Sequence, residues 1–357
     1  MIIKGGVSLL GSSIYLGQEI DFQKLELFKK FGMEGIFTSA HIPEEDAQSY
    51  TDQLKTLGQY ANRLNMKLVV DISKASLEHL GLDITNIGRL KNYGIYGLRI
   101  DYGFSLPEIK RISDQITVAF NASTIQPQHL KDWEDQGIDL FQVIAWHNYY
   151  PRPETGLDFQ YFKKVNRAFK EMGLTVIAFM PGEDRLRGPI FNGLPTLEHQ
   201  RHQDPLLNYL ELEMAYVDQV YIGDPGISRE SLERINSYVN QEIIILRGDL
   251  IYSDLKKKTS RIYHNRPDYA AYVIRAEESR QEGIILSPEK VLARKRGAVT
   301  LDNQDYGRYK GELQIVKRDL PGDPRVNVIG QIVEEDLSLL KYIGPSQAFK
   351  IDWREVE

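Results

Sequence analysis

Two aspartates draw attention because each ends a short apolar run that is typical of a buried strand. Asp71 ends K-L-V-V-D at 67–71, and Asp101 ends G-L-R-I-D at 97–101. Matching positions at the ends of neighbouring parallel strands place two side chains at one edge. Paired carboxylates there suit glycoside hydrolysis, in which one protonates the leaving oxygen and the other stabilises or attacks the anomeric carbon. The alternative is that one aspartate forms an ion pair with Arg99.

Two long segments rich in aromatic residues and arginine follow later apolar runs. They read W-H-N-Y-Y-P-R-P-E-T-G-L-D at 146–158 and M-P-G-E-D-R-L-R-G-P-I-F-N-G at 180–193. Loops longer than about 12 residues are usually functional or disordered, and this composition favours function. Trp146, Tyr149 and Tyr150 offer flat faces that suit sugar rings, although two of them could simply cap a core.

Further polar residues at strand ends and on these segments complete the predicted site. Glu154 and Asp224 are reserve catalytic acids. The candidate substrate-binding residues are Tyr15, Arg99, Asn121, His147, Asn148, Tyr149, Arg152, Arg187 and Arg201. For His147, a structural role is as consistent with the sequence as a site role. For any one arginine, the alternative is a solvated surface position.

The composition is that of a folded soluble protein and limits the partners. The 357 residues include 44 Lys and Arg against 50 Asp and Glu, a formal net charge of −6. We therefore expect no binding to nucleic acid or an anionic membrane, and an anionic ligand needs a local cluster of cations. The chain has no cysteine, which excludes thiol chemistry and favours a reducing compartment. With no clear signal segment and no run of about 20 apolar residues, we expect a cytoplasmic protein.

Metal and nucleotide motifs are weak. His199 and His202 have an i, i+3 spacing, but without an H-E-x-x-H pattern we interpret them as part of a solvated helix face. No G-x-G-x-x-G and no G-x-x-x-x-G-K-[ST] motif occurs, so we expect neither a metal nor a cofactor. No lysine ends an apolar run, which argues against a Schiff-base aldolase.

The elements that must position these residues alternate along the first two thirds of the chain. Eight apolar runs lie at 7–15, 35–38, 67–71, 97–101, 116–121, 138–143, 174–179 and 219–223. Between them lie segments of helical period, with a start signal at Ser105 and a stop signal at Gly173. This rhythm predicts an α/β protein whose first domain, 1–236, is a (β/α)8 TIM barrel. Beyond it, short strands and Gly/Pro/Asp turns predict a smaller all-β barrel domain at 243–357.

Several long strings resemble one bacterial enzyme family. They are S-I-Y-L-G at 13–17, G-L-R-I-D-Y-G-F at 97–104, F-N-A-S at 120–123, H-N-Y-Y-P-R-P-E-T-G-L at 147–157 and R-G-P-I-F-N-G-L-P-T-L-E-H-Q-R at 187–201. Over essentially its whole length the chain is similar to the 6-phospho-N-acetylmuramidases. One departure is Gln200, which separates His199 from Arg201.

The resemblance implies a TIM barrel followed by a cyclophilin-like barrel. It also implies release of N-acetylmuramic acid 6-phosphate from its disaccharide with N-acetylglucosamine, inside the cell, during recycling of cell-wall peptidoglycan. That sugar carries about three negative charges at pH 7, which nearby arginines must neutralise. The catalytic assignments rest on position alone. An alternative is a sugar-phosphate binding or regulatory protein without turnover, although two carboxylates facing one mouth favour turnover. The anomeric outcome, the oligomeric state and the role of the second domain stay open.

Overall fold

The structure is a computed structural model that describes residues 9–17, 19–40, 47–79, 82–100, 103–289 and 291–354. The chain forms two compact units, the first ending at Leu232 and the second beginning at Glu233. Across the described ranges, no helix is both long enough and apolar enough to span a membrane.

Eight parallel strands close the first unit into a barrel, in which each strand pairs with the next and β8 pairs with β1. The strands are β1 (Leu9–Ser13), β2 (Met33–Ser39), β3 (Lys67–Ile72), β4 (Ile95–Ile100), β5 (Thr117–Asn121), β6 (Val143–Trp146), β7 (Thr175–Met180) and β8 (Gln219–Ile222). Their nearly continuous burial is expected when helices cover one face and side chains fill the other. The predicted TIM barrel is confirmed.

The helices that alternate with these strands are α1 (Phe22–Lys30), α2 (Ala47–Arg63), α3 (Lys74–His79), α4 (Leu106–Ser113), α5 (Leu130–Asp135), α6 (Phe159–Glu171), α7 (Pro205–Met214) and α8 (Arg229–Gln241), of which α8 continues into the residues of the second unit. Several of them begin after a polar residue that caps free N–H groups. Asp21, Asp158 and Asp204 each accept a hydrogen bond from a backbone N–H group in the first turn of the helix that follows. At the start of α4, the Glu108 carboxylate accepts the Ser105 N–H group at 2.8 Å.

Aromatic side chains fill the barrel interior. The rings of Phe37, Trp146 and Phe179 lie with centroids 5.0–5.9 Å apart. Tyr221 of β8 joins them, and its ring lies 4.5 Å from that of Trp146. Small residues opposite make this possible, because a Cβ atom on Gly35 would lie 1.8 Å from the Tyr221 hydroxyl. This packed layer forms the floor beneath the carboxyl ends of the strands.

The sixth strand lies further along the chain than the apolar run at 138–143 predicts. Strand β6 begins only at Val143, and residues 140–142 form a 3₁₀ turn. The Asp139 carboxylate accepts the Phe141 N–H group at 3.0 Å, and the Phe141 side chain is 83% exposed. The prediction was wrong here because a capping aspartate favours a turn over an extended chain. The shift places Trp146 inside the barrel.

The second unit is built on a mixed seven-stranded sheet in the order β10-β15-β9-β14-β12-β13-β11. The strands are β9 (Ile243–Leu250), β10 (Ile262–His264), β11 (Val273–Arg275), β12 (Ala298–Asp302), β13 (Leu313–Val316), β14 (Val326–Ile332) and β15 (Ala348–Arg354), with a short helix α9 (Lys256–Thr259). A bridge between Asn265 and Ala276 brings the two edge strands together and nearly closes the sheet. A second, barrel-like β structure is therefore confirmed. The boundaries proposed from the sequence, 236 and 243, lie near the end of α8.

Candidate active site

A buried ion pair joins two neighbouring strands at the carboxyl end of the barrel. Asp71 of β3 lies in register with Arg99 of β4, and Arg99 Nη1 donates to Asp71 Oδ1 at 2.7 Å. Val69, two residues before Asp71, packs in the interior aromatic layer, so strand alternation places Asp71 on the interior face as well. Among the described residues, Asp71 Oδ2 has no hydrogen-bond partner, and the side chain is 12% exposed. One oxygen is thus fixed and the other is free to act on a ligand.

Arg99 links this carboxylate to the first long segment. Its Nε donates to the carbonyl oxygen of Trp146 at 3.3 Å, and its Nη2 donates to the side-chain oxygen of Asn148. The arginine is 3% exposed, so its charge is held by these contacts and not by water. The structure therefore contains the ion pair between an aspartate and Arg99 that the sequence left as the alternative to two free catalytic acids. Asp101, which the sequence predicts as the second catalytic carboxylate beside Asp71, lies outside the described residues.

A chain of hydrogen bonds behind the site holds Asn148 in place. Asn166 of α6 uses its amide nitrogen on a backbone carbonyl at 2.8 Å, and its Oδ1 lies 2.7 Å from His147 Nε2. Asn166 Oδ1 therefore accepts from Nε2–H, which leaves Nδ1 of His147 as an acceptor. The Ser123 hydroxyl lies 3.2 Å from that Nδ1 and accepts the Asn148 N–H group at 2.9 Å. These hydrogen bonds connect α6 to Asn148, whose side-chain amide binds Arg99.

His147 is neutral in this network. Burial lowers the pKa of His147 to about 4, the Arg99 charge adds to this effect, and the hydrogen bond with Asn166 opposes it. The imidazole also packs on Phe162, with ring centroids 4.6 Å apart. These contacts favour the structural role that the sequence left open, in which His147 supports the site from behind.

A second group of side chains combines one arginine with two tyrosines. The Arg187 guanidinium lies 3.6 Å from the ring centroid of Tyr15, and its Nη1 donates to the Tyr149 hydroxyl at 2.7 Å. Tyr149 packs edge-on against Phe179 of the interior layer, at 5.1 Å. In the part of the chain that the structure describes, Nε and Nη2 of Arg187 have no partner. Arg187 thus keeps N–H groups for an anionic ligand.

Tyr15 is a fixed support for this arginine. Its hydroxyl donates to the carbonyl oxygen of Gly223 at 2.6 Å. Burial raises the pKa of Tyr15 well above its usual value, Tyr149 adds to the rise, and the Arg187 charge opposes it. The phenol therefore remains protonated, and its ring offers Arg187 a cation–π contact.

Asp224 organises the segment that carries Arg187. Its Oδ2 accepts the N–H groups of Gly182 at 3.0 Å and Leu194 at 2.8 Å. Its Oδ1 accepts the Arg187 N–H group at 3.0 Å. Burial raises the pKa of Asp224, although these backbone hydrogen bonds act against the rise. With both oxygens bonded to the backbone, this reserve acid could react only by releasing the loop.

Arg201 ties the two long segments together. Its Nε and Nη2 donate to the two oxygens of Glu198 at 2.7 and 2.6 Å. Its Nη1 donates to the carbonyl oxygens of Tyr150 and Asn192, each at 3.1 Å, and of Gly193 at 3.0 Å. These donors are engaged within the protein, so a substrate could bind Arg201 only by displacing one of the contacts.

Glu198 extends the same connection. It accepts the N–H groups of Glu154 at 2.8 Å and Gly156 at 2.7 Å. The ion pair with Arg201 lowers the pKa of Glu198 to about 2, and the two backbone donors lower it further against the effect of burial. Glu154 adopts a positive φ of 72°, which a residue other than glycine adopts only when its surroundings hold it. The hydrogen bonds from the N–H groups of Glu154 and Gly156 to the Glu198 carboxylate hold the backbone in this conformation.

The other predicted residues differ in their surroundings. The side chains of Glu154 and Arg152 are exposed on the first long segment. Asn121 is 2% exposed, and its side-chain oxygen accepts the Ser123 N–H group at 3.1 Å. The described ranges contain no group of three His, Cys, Asp or Glu side chains arranged to hold a metal.

Several supporting residues were missed from the sequence. Glu198 lies three residues before Arg201, a spacing that could have indicated an ion pair. Asn166 carried no signal, because an amide 19 residues from His147 looks like any other polar position on a helix. Ser123 belongs to the F-N-A-S string at 120–123, but its contacts with His147 and Asn148 could not be predicted. Thr196 is similar: its buried hydroxyl donates to the Asn148 carbonyl oxygen at 2.7 Å.

Comparisons with known proteins agree with this arrangement of two units. Residues 10–237 match the family model described as 6-phospho-N-acetylmuramidase, N-terminal, and residues 245–352 match 6-phospho-N-acetylmuramidase, C-terminal. A search of the curated proteins found no match.

Two solved structures resemble the chain over nearly all of its length. A conserved protein of unknown function from Enterococcus faecalis is 37% identical, with 97% of each chain covered and a TM-score of 0.88. An uncharacterized protein from B. cereus is 26% identical, with 97% of this chain and 99% of that chain covered and a TM-score of 0.78. On these matches, the chain belongs to the 6-phospho-N-acetylmuramidase family.

Proposed function

We propose that the protein hydrolyses the glycosidic bond between N-acetylmuramic acid 6-phosphate and N-acetylglucosamine. The observation that carries the proposal is the Asp71 carboxylate on the interior face of the barrel, which Arg99 holds through one oxygen while the other has no partner among the described residues. The family supplies the class of substrate. Arg187 supports an anionic substrate, because within the described ranges two of its nitrogens have no partner and its guanidinium lies on the ring of Tyr15.

Asp71 provides negative charge in this reaction. Its ion pair with Arg99 suits the partner that stabilises or attacks the anomeric carbon. Alternatively, the carboxylate orients the acetamido group of the substrate for attack on its own anomeric carbon. Asp101 is the proposed acid: it protonates the glycosidic oxygen as the C1–O bond breaks. Water then adds to C1 and gives its proton to a carboxylate, which is Asp71 in an inverting reaction and the deprotonated Asp101 in a retaining one. The separation of the two carboxyl groups then sets the outcome, about 5 Å for retention and about 6.5 to 9.5 Å for inversion.

The 6-phosphate is proposed to bind the two arginines of the long segments. Arg187 presents Nε and Nη2, and the exposed Arg152 lies on the neighbouring segment. Guanidinium groups bind phosphate through paired N–H donors. Binding at these arginines therefore favours the 6-phospho disaccharide over the 6-hydroxy disaccharide.

The proposed setting is the cytoplasm. A disaccharide that carries a sugar 6-phosphate is a product of uptake with phosphorylation, so an enzyme acting on it works inside the cell during recycling of peptidoglycan fragments. A chain of 357 residues without cysteine is compatible with a reducing compartment.

The decisive experiment measures release of N-acetylglucosamine from the 6-phospho disaccharide. Asp71→Asn and Asp101→Asn should each lower kcat by about 10²-fold or more. Asp114→Asn, on the exposed end of α4, is the matched control and should act like the wild type. Substrate binding and circular dichroism of each variant separate a lost reaction from a lost fold.

Two outcomes would redirect the proposal. Near-normal turnover in both variants would move the catalytic assignment to Glu154 and Asp224. Tight binding of the disaccharide by the wild-type protein without any turnover would favour the non-enzymatic alternative, a sugar-phosphate binding or regulatory protein.

A further inference from the structure

One face of the sheet in the second unit carries polar side chains that the proposed reaction does not use. Thr300 and Asp302 lie on the same face of β12, because they are two residues apart. Gln314 of β13 is paired with Thr300, and Arg275 of β11 is paired with Gln314. Glu312 accepts the Asp302 N–H group through its carbonyl oxygen at 3.1 Å, which places it opposite Asp302. Residues opposite each other in antiparallel strands share a face, so these five form one polar cluster.

Glu312 is fully satisfied within the polar cluster. Arg275 Nε donates to Glu312 Oε1 at 2.7 Å, and Arg275 Nη2 donates to Oε2 at 3.0 Å. Gln314 Nε2 donates to Oε1 at 2.9 Å. The Glu312 charge is therefore matched by a cation and needs no ligand.

Unlike Glu312, the side chains of Asp302 and Thr300 make no hydrogen bond within the described residues. Asp302 is 3% exposed, and among the described residues nothing donates a hydrogen bond to its carboxylate. Thr300 is 0% exposed, and its hydroxyl also has no partner in the same ranges. Buried polar groups are almost always hydrogen-bonded, since an unsatisfied group costs about 1–3 kcal/mol. A buried hydroxyl without a partner, on the same face as a carboxyl group that accepts no hydrogen bond, points to a molecule that satisfies both.

The charges around Asp302 indicate a ligand without net charge. The negative charges of Glu312 and Asp323 raise the pKa of this carboxyl group, and the positive charges of Arg294 and Arg275 lower it. An anion would meet the two acids, and a cation would meet the two arginines. A neutral ligand that donates O–H groups avoids both repulsions. When Asp302 is ionised, the two oxygens of its carboxylate can accept two such donors.

Two tyrosines lie near Arg280, an arginine that contacts the polar cluster through Glu312. Arg280 lies 3.6 Å from the Glu312 carboxylate and 5.9 Å from the ring centroid of Tyr309. Tyr306 lies 5.9 Å from Tyr309, edge to face, and both rings are half-buried. A sugar ring combines hydroxyl donors with an apolar face, so it matches acceptors beside aromatic surfaces.

We propose that the polar cluster is a second ligand site, which binds a neutral sugar through hydroxyl groups that donate to Asp302 and Thr300. The site lies entirely in the second unit. It is independent of the proposed hydrolysis, and the failure of either proposal leaves the other standing.

The experiment uses the full chain with N-acetylglucosamine as the probe. Glucosamine is the cationic comparison, and glucose 6-phosphate is the anionic one. Calorimetry measures affinity, and hydrogen exchange followed by mass spectrometry locates binding. N-acetylglucosamine should protect segments 298–302 and 303–316, whereas the two charged sugars should protect them far less. Locating the effect by exchange separates this site from any binding at the barrel.

Three variants test the residues. Thr300→Val removes the hydroxyl with little change of shape, and Asp302→Asn replaces an acceptor with a donor. Each should weaken the binding located at 298–316 by about tenfold or more. Asp352→Asn, a half-buried position on β15 whose carboxylate pairs with Lys350, should bind like the wild type. Absence of protection in the wild-type protein, unchanged affinity in both site variants, or equal protection by the charged sugars would each overturn the proposal.

Discussion

Replacing Asp302 with asparagine should stabilise the second unit at high pH and leave it nearly unchanged at low pH. Burial raises the pKa of Asp302 to about 7 from an ordinary value of 3.8, Glu312 and Asp323 add to the rise, and Arg294 and Arg275 oppose it. The folded protein therefore holds a proton between these two pH values that the unfolded chain releases. Stability contributed by this group is full below about pH 4, falls as the pH rises, and is lost by about pH 7.

The size of the effect follows from the two pKa values. Each unit of difference corresponds to 1.36 kcal/mol, so ionised Asp302 destabilises the folded second unit by about 4 kcal/mol at most above pH 7. Asparagine carries no charge and escapes this penalty. The expected gain for Asp302→Asn is thus about 2–4 kcal/mol at pH 8 and close to zero at pH 4.

The assay compares the thermal unfolding of wild type and variant at pH 4, 6 and 8 by calorimetry. Hydrogen exchange in β15 identifies the transition that belongs to the second unit. Asp249→Asn is a control of opposite sign, because the ion pair with Arg354 lowers the pKa of Asp249. That variant should lose stability at pH 8, by less than an interior group would. If Asp302→Asn destabilised the unit at pH 8, or shifted it equally at all three pH values, the reasoning from the buried carboxyl would be refuted.

Three further predictions concern the barrel. Arg187→Ala should lower kcat/KM for the 6-phospho disaccharide by roughly 30- to 1000-fold and affect the 6-hydroxy disaccharide much less, with Arg152→Ala in parallel; equal losses on both substrates would show that phosphate is read elsewhere. The lowered pKa of His147, about 4, means that the first unit loses up to about 3 kcal/mol as the pH falls from 6.5 to 4; urea unfolding should show this slope, and its persistence in His147→Gln would contradict the assignment. Glu198→Gln should weaken the connection through Arg201, so that proteolysis within 185–193 speeds up and kcat/KM falls while the melting temperature changes little; an unaltered cleavage rate would count against that connection.

Local elements of the barrel were predictable because their causes lie within a few residues. Helix α6 begins after the capping Asp158 and ends before Gly173, which has a φ of 83° that glycine adopts without strain. The sixth strand shows the limit of this reasoning. An apolar run at 138–143 predicts a strand, but the carboxylate of Asp139 competes for the backbone and moves the strand to Val143–Trp146.

The candidate site was predictable as a set of positions more than as a set of contacts. The sequence pattern placed Asp71 and Arg99 at neighbouring strand ends. It could not decide whether Asp71 is a free acid or is paired with Arg99, because both arrangements use the same residue types. Likewise, an arginine that binds phosphate and one that ties loops together look identical in a sequence. The choice for Arg201 depends on Glu198 and on carbonyl groups of two segments that only the fold brings together.

The sequence by itself therefore determined the alternation of strands and helices, the end of the barrel where polar residues gather, and the family. Tertiary structure alone decided which of those residues are bound to protein and which are open to a ligand. The physical reason is distance along the chain: caps and periods act over three or four residues, whereas Arg99 finds Asp71 28 residues away and Asn148 49 residues away. Closure of the barrel fixes those partners, and burial then requires that Arg99 be paired, whereas Asp71 uses only one of its oxygens in contacts with the described residues.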